Sequence, residues 1–359
     1  MKLKRSWLKW LIIAAAGLAL GVIIVLHTLS GAGNDDTDAE ESSNSGASAE
    51  VIPHQEDETG DAAPPGEYRE LTSLDDFGDE KWNEGVLMYD GRLYRYNEGL
   101  QTYLFMGIDN DGPVALAKDF LKGGQSDAMF LLVIDNKAGQ ADVVAINRNT
   151  MVPVDVFDRS ANYTGRYILP ICLQHGYGDG MKLSCMMSVE AIGRLFRGIP
   201  IAGYLALNVG GRPEINDAIG GVEITPIESV ERGDVSIKEG ETLTLDGDQA
   251  YAYLRQRDVD RFGSANDRLE RQKQYIGAFA EKIMNDPSLA KKLVNAGSDY
   301  IVSSIDLSRI AESADDLTIN KEIYTLDGKT VEEEGFESFY ADEDGLIKLI
   351  LDVFYEEVS

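Results

Sequence analysis

Cysteine and histidine are scarce in this 359-residue chain, with two of the first and three of the second. So few make neither a disulfide framework nor a Cys/His metal cluster. Cys172 and Cys185 either pair in an oxidising compartment or remain as two buried thiols acting as small hydrophobes. His27 lies in an apolar run, His54 in an acidic stretch and His175 in a polar loop. Only His175 is placed to serve a Ser-His-Asp or Cys-His enzyme, and its surroundings show no nucleophile elbow. Positive charge is also short: 33 Lys and Arg face 62 Asp and Glu, a formal net charge of -29. That balance argues against nucleic acid and against docking on anionic lipid.

The N-terminus has a different character. Lys2, Lys4, Arg5 and Lys9 precede an uncharged apolar run from Trp10 to about Leu29. Some 20 helical residues cross a hydrocarbon core of roughly 30 Å. The expectation is an uncleaved signal-anchor over 10–29, with residues 1–9 cytoplasmic by the positive-inside rule and the rest outside the cell membrane. Residues 30–70 read as a disordered acidic linker, and its stretch 31–66 holds no Lys or Arg. Residues 71–359 are expected to form one extracytoplasmic domain.

Within that domain, Gln101–Ile108 reads as a strand ending at Asp109. Ala128–Ile134, apolar throughout, reads as a strand buried on both faces and opened by Ser126-Asp127. A short turn at 136–139 leads to a third strand, Ala141–Ile146, which runs into Asn147-Arg148-Asn149-Thr150. The turn is short enough for a hairpin, so Arg148 is expected near Asp127. If the first strand is antiparallel to the second, Asp109 joins the same end of the sheet. The plainer reading is that both aspartates cap strand ends or turns.

Helices are expected over Ser188–Phe196, Arg212–Ala218, Asp246–Leu254 and, with Ser264 as N-cap, on to about Met284. A strand is expected at Ala202–Asn208 and another at Val222–Thr225; helices near 287–296, 306–316 and 343–356 and a strand near 321–326 finish the chain. The pattern implies an α/β, mixed α+β, layered domain.

Six basic residues crowd one stretch: Arg255, Arg257, Arg261, Arg268, Arg271 and Lys273. Arginines gathered in an acidic chain suit a strongly anionic ligand, because the guanidinium grips phosphate or carboxylate with two parallel hydrogen bonds. Asp258, Asp260, Asp267 and Glu270 lie in the same stretch, and a salt-bridged surface helix has the same composition.

Taken in order, Met106-Gly-Ile-Asp109, Ser126-Asp127, Arg148-Asn-Thr150, Ile199–Tyr204, Asn216–Val222, Leu245–Arg257 and Arg268-Leu-Glu-Arg271-Gln272 resemble the LytR-CpsA-Psr family of cell-wall enzymes. The family core covers about 101–284. The resemblance implies a central mixed sheet sandwiched by helices, with an apolar cavity for a lipid tail. It implies transfer of a glycopolymer 1-phosphate from a polyprenyl-pyrophosphate carrier to a hydroxyl of peptidoglycan. Asp109 and Asp127 would hold one Mg²⁺, or Mn²⁺ in its place. Arg148, Arg255, Arg257 and Arg271 would act on the pyrophosphate, and Arg268, Gln272 and Gln125 would help to bind it. A pyrophosphatase, or a non-catalytic regulator that binds lipid-linked glycan, are the other readings.

Three departures stand out: Gln125 where relatives often have Arg, Asn147 and Asn149 where they often have Pro and Asp, and Asn110 after the first aspartate. The changes at 125 and 149 remove one charge of each sign. Asp258, Asp260 and Asp267 are candidate general bases, and an acceptor activated by the metal needs none.

Overall fold

The computed structural model describes residues 68–78, 84–117, 121–255, 271–305 with short breaks, 318–333 and 336–358. The expected anchor and almost all of the linker lie outside these, as do Ser264 and the helix expected at 306–316. Among the described residues no helix is long and apolar enough to cross a membrane.

A six-stranded mixed sheet organises the domain. Its strands are β1 (Leu100–Ile108), β2 (Ser126–Asp135), β3 (Gln140–Ile146), β6 (Gly203–Asn208), β7 (Ile301–Ser303) and β8 (Thr318–Thr325), in the order β7-β6-β1-β2-β3-β8. Strands β4 (Met151–Phe157) and β5 (Tyr163–Pro170) form a separate antiparallel hairpin. β3 runs antiparallel to β2, as the short turn predicts, and β1 also runs antiparallel to β2, the arrangement that brings Asp109 to the same end, while β6 and β8 are parallel additions. Both cores alternate along the strands with the period of two that a pleated sheet imposes. Phe105 and Phe130 stack at 5.3 Å on one face. Leu104, Met106, Met129 and Leu131 point to the other.

Helices cover both faces, so each apolar surface of the sheet is buried. They include α1 (Leu173–Gly176), α2 (Lys182–Leu195), α3 (Arg212–Ala218), α4 (Gly247–Arg255), α5 (Leu289–Gly297) and α6 (Glu343–Phe354). On one side lie residues of α3 and α4 with Tyr275 and Phe279. On the other lie Ala191 and Ile192 of α2 with Ile347 and Ile350 of α6.

The structure departs from the sequence reading in three places. α2 begins at Lys182 rather than Ser188, because the Asp179 carboxylate accepts the Met181 and Ser184 backbone N–H groups at 2.8 and 3.1 Å and satisfies donors that a helix start leaves open. After 285 the strand expected near 321–326 is present as β8, and β7, a strand the sequence did not signal, joins the opposite edge of the central sheet. A second sheet joins Tyr68–Glu70, Val86–Tyr89 and Arg92–Tyr96 to the C-terminal strand Tyr355–Val358.

Candidate functional site

The register of the central sheet fixes which residues meet at its end. Ile108 lies opposite Ser126, and Ile146 lies opposite Met129. Asp109 therefore leaves β1 where Asp127 enters β2, and Arg148 follows β3 to the same place. Arg148 Nη2 lies 3.1 Å from Asp127 Oδ1. Asp127 is 5 % exposed, whereas Asp109 is open to solvent.

The turn before β2 ties the two aspartates together through the backbone. The Gln125 carbonyl accepts the N–H of Asp109 at 2.9 Å and of Asp127 at 3.1 Å. The Gln125 side chain turns its amide oxygen to Arg148 Nη2 at 2.5 Å. The neutral residue at 125 thus fits beside the guanidinium as an acceptor.

A second support comes from the segment after β5. Cys172 N–H donates to the Arg148 carbonyl at 3.2 Å, and Ser126 N–H to the Cys172 carbonyl at 3.1 Å. Cys172 and Cys185 are both free and buried, which settles the open pairing in favour of two thiols. Burial pushes both thiols up, Cys185 to about 12. Arg148 donates to Cys172 Sγ at 3.5 Å. Burial works against the Arg148 charge, but the surroundings more than offset it and hold the guanidinium above its ordinary value. Because the Cys172 thiol stays protonated, the charges that matter are the carboxylates of Asp127 and Asp109.

The remaining expected site residues fall differently. Arg255 ends α4, but its side chain lies outside the described residues, and so do Arg257, Arg268 and Gln272. Arg271 is described, and it is 2 % exposed. Its Nε donates to the Tyr253 carbonyl at 2.9 Å, and its Nη1 binds the Glu228 carboxylate. Its guanidinium carbon lies 5.9 Å from the Tyr253 ring centroid. Tyr253 in turn donates its hydroxyl to Gln274 at 2.5 Å and accepts from Ile227 N–H at 3.1 Å. Nothing in the sequence pattern points to Glu228, which is 43 residues from Arg271.

The chemistry of this end of the sheet fits a hard cation. Mg²⁺ prefers one or two carboxylates completed by phosphate oxygens and water rather than a full protein cage. Asp109 and Asp127 provide the carboxylates. Among the described residues no group of three or more His, Cys, Asp or Glu could hold a metal unaided. A pair of aspartates beside a half-buried arginine suits a cation shared with an anionic ligand.

Comparison with known proteins gives the same family as the motifs. The family model described as LytR_cpsA_psr matches residues 78–349. The polyisoprenyl-teichoic acid--peptidoglycan teichoic acid transferase TagU of Enterococcus faecalis is 27 % identical over 217 residues, which is 58 % of this chain and 64 % of that protein. The match therefore spans less than two thirds of the relative's length. Among solved structures, protein gbs0355 of Streptococcus agalactiae superposes with a TM-score of 0.55 at 20 % identity, covering 71 % of this chain and 86 % of that one. TagT bound to LI-WTA gives 0.50 at 20 % identity, covering 71 % and 90 %. These likenesses are of fold: a central mixed sheet between helices. With the family model matching most of its length, the chain belongs to the LytR-CpsA-Psr family.

Proposed function

We propose that this chain is a membrane-anchored phosphotransferase of the cell envelope. It moves a glycopolymer 1-phosphate from a polyprenyl-pyrophosphate carrier to a peptidoglycan hydroxyl. The observation that carries this reading is the meeting of Asp109, Asp127, Arg148 and Gln125 at one end of the sheet. The relative TagU, a teichoic acid transferase, supports the substrate class, as does TagT, the relative in fold that was solved bound to LI-WTA.

The reaction breaks the phosphoanhydride bond of the carrier and forms a phosphoester bond to the acceptor, giving a phosphodiester. The acceptor oxygen forms a bond to the phosphorus carried by the sugar, and the bond from that phosphorus to the bridging oxygen breaks. Polyprenyl phosphate leaves with the electron pair, and the hydroxyl proton passes to solvent. Such a transfer depends on positioning and on charge stabilisation more than on covalent help from protein. Asp109 and Asp127 would hold Mg²⁺, or Mn²⁺ in its place, which would supply charge neutralisation for the pyrophosphate. Arg148, kept charged beside Asp127, adds fixed positive charge. Gln125 keeps Arg148 aimed. Arg255, Arg257, Arg268 and Gln272 supply further positive charge and hydrogen bonds to the anion. The anchor over 10–29 keeps the domain at the membrane that holds the carrier.

The test supplies the full chain with a polyprenyl-pyrophosphate glycan, peptidoglycan and Mg²⁺. The expected products are glycan linked to peptidoglycan by a phosphodiester and free polyprenyl phosphate. Release of glycan phosphate to water, with no acceptor linkage, identifies a pyrophosphatase instead. Binding without turnover identifies a regulator.

A further inference from the structure

His175 has no part in the proposed chemistry, yet it is 1 % exposed and hydrogen-bonded to the turn that carries the site. Its Nδ1 lies 2.9 Å from the Gly124 carbonyl. A carbonyl only accepts, so Nδ1 carries the proton. Nε2 is then an acceptor, and Cys185 Sγ lies 3.9 Å from it, where a protonated thiol is a weak donor. The neutral imidazole is thus held in one tautomer between a carbonyl and a thiol.

The next carbonyl along the chain, that of Gln125, accepts the backbone N–H of both Asp109 and Asp127. The turn has little room to shift. Gly124 has φ +80°, and a Cβ there would meet Ile108 Cγ2 at 2.7 Å and the Asp109 carbonyl oxygen at 3.1 Å. Gly123 packs on Gly180 just as closely, its Cβ position 3.0 Å from the Gly180 backbone. His175 lies three residues after Cys172, so one short segment grips the end of the sheet at both Ser126 and Gly124.

We infer that His175 is a positioning residue: by binding the Gly124 carbonyl it fixes the Gly124–Gln125 turn, and through it the relative placement of the Asp109 and Asp127 carboxylates. The inference rests on the metal-holding role proposed for those two aspartates. Outer partners that orient a ligand set commonly change metal affinity about 10–100-fold when removed.

Three variants of the full chain in detergent test it. His175→Asn puts an amide N–H close to the Nδ1 position, His175→Gln moves the donor away, and His175→Leu removes it. Amide hydrogen exchange is read at Asp109 and Asp127 without metal, and Mn²⁺ binding is titrated on the same samples. The Asn variant is expected to stay near wild type in both. Gln and Leu should raise exchange at the two aspartates about tenfold and weaken Mn²⁺ by a similar factor. Wild-type exchange in both Gln and Leu overturns the proposal, and so does an Asn variant no better than Gln. Loss of fold in all three, Asn included, assigns His175 to core packing and also overturns it. If wild type binds no Mn²⁺, the metal reading fails, while exchange still decides the positioning role.

Discussion

Arg148 Nη2 stands 3.1 Å from Asp127 Oδ1, joining the second residue past the end of β3 to the second residue of the neighbouring β2. The pair is largely out of solvent, with side chains 18 % and 4 % exposed. Breaking a buried pair from one side leaves an uncompensated charge and costs about 3–5 kcal/mol. Arg148→Met should therefore lower the urea unfolding free energy by several kcal/mol as well as the rate. Asp127→Asn keeps the shape and leaves Arg148 its contact with Gln125, so it should cost less stability while losing metal-dependent turnover. Equal stability losses in the two variants would contradict this asymmetry.

Asp109 separates the two effects more cleanly. It is exposed at the end of β1, and a surface substitution away from packing usually changes stability by no more than about 0.5 kcal/mol. Asp109→Ala should melt like wild type and yet fail to transfer glycan in the presence of Mg²⁺. Wild-type turnover in this variant would remove Asp109 from the proposed metal site.

Arg271 and Glu228 form a contact of a different kind. The arginine is buried, whereas the Glu228 side chain is 38 % exposed. Removing the carboxylate leaves a buried charge, whereas removing the arginine lets Glu228 hydrate. Glu228→Gln should therefore cost about 1–3 kcal/mol, by the penalty for an under-satisfied buried group. In a double-mutant cycle with Arg271→Met the losses should fall well short of adding. Additive losses would mean that the two side chains act independently.

Much of the central sheet is legible in the sequence because its signals are local. The apolar runs mark β1 and β2 as strands, and the short turn predicts that β2 and β3 pair antiparallel, which alone brings Arg148 to Asp127. The sheet formed by 68–96 and 355–358 escapes such reading, since its strands are short, mostly half-exposed and paired across some 260 residues. The hairpin of β4 and β5 is likewise only partly buried. Its anchor is non-local: Asp155, which pairs with Arg166 inside the hairpin, also lies 3.1 Å from Arg194 of α2. The same limit applies to the site. Asp109, Asp127 and Arg148 follow from strand order. Glu228 beside Arg271 and His175 beside Gly124 depend on contacts across 43 and 51 residues that no motif encodes.

His175 also leaves a signature in the pH dependence of stability. Burial is the main cause that lowers its pKa, from 6.5 to about 4, and outweighs the Gly124 and Gly123 backbone contacts and the Asp179 charge, which raise it. Between those values the unfolded chain binds a proton that the folded chain refuses. Stability from this group is therefore fully present above pH 6.5 and is lost as pH falls toward 4. A shift of that size corresponds to about 3 kcal/mol at 1.36 kcal/mol per pH unit. Many carboxylates titrate in the lower part of the same window, so the comparison must be between variants. Urea unfolding of wild type and His175→Asn at pH 7 and pH 4.5 should show the wild type losing more stability on acidification, by about 2–3 kcal/mol. Parallel losses in the two proteins would mean that His175 takes up its proton in the folded state and is not held neutral by its surroundings.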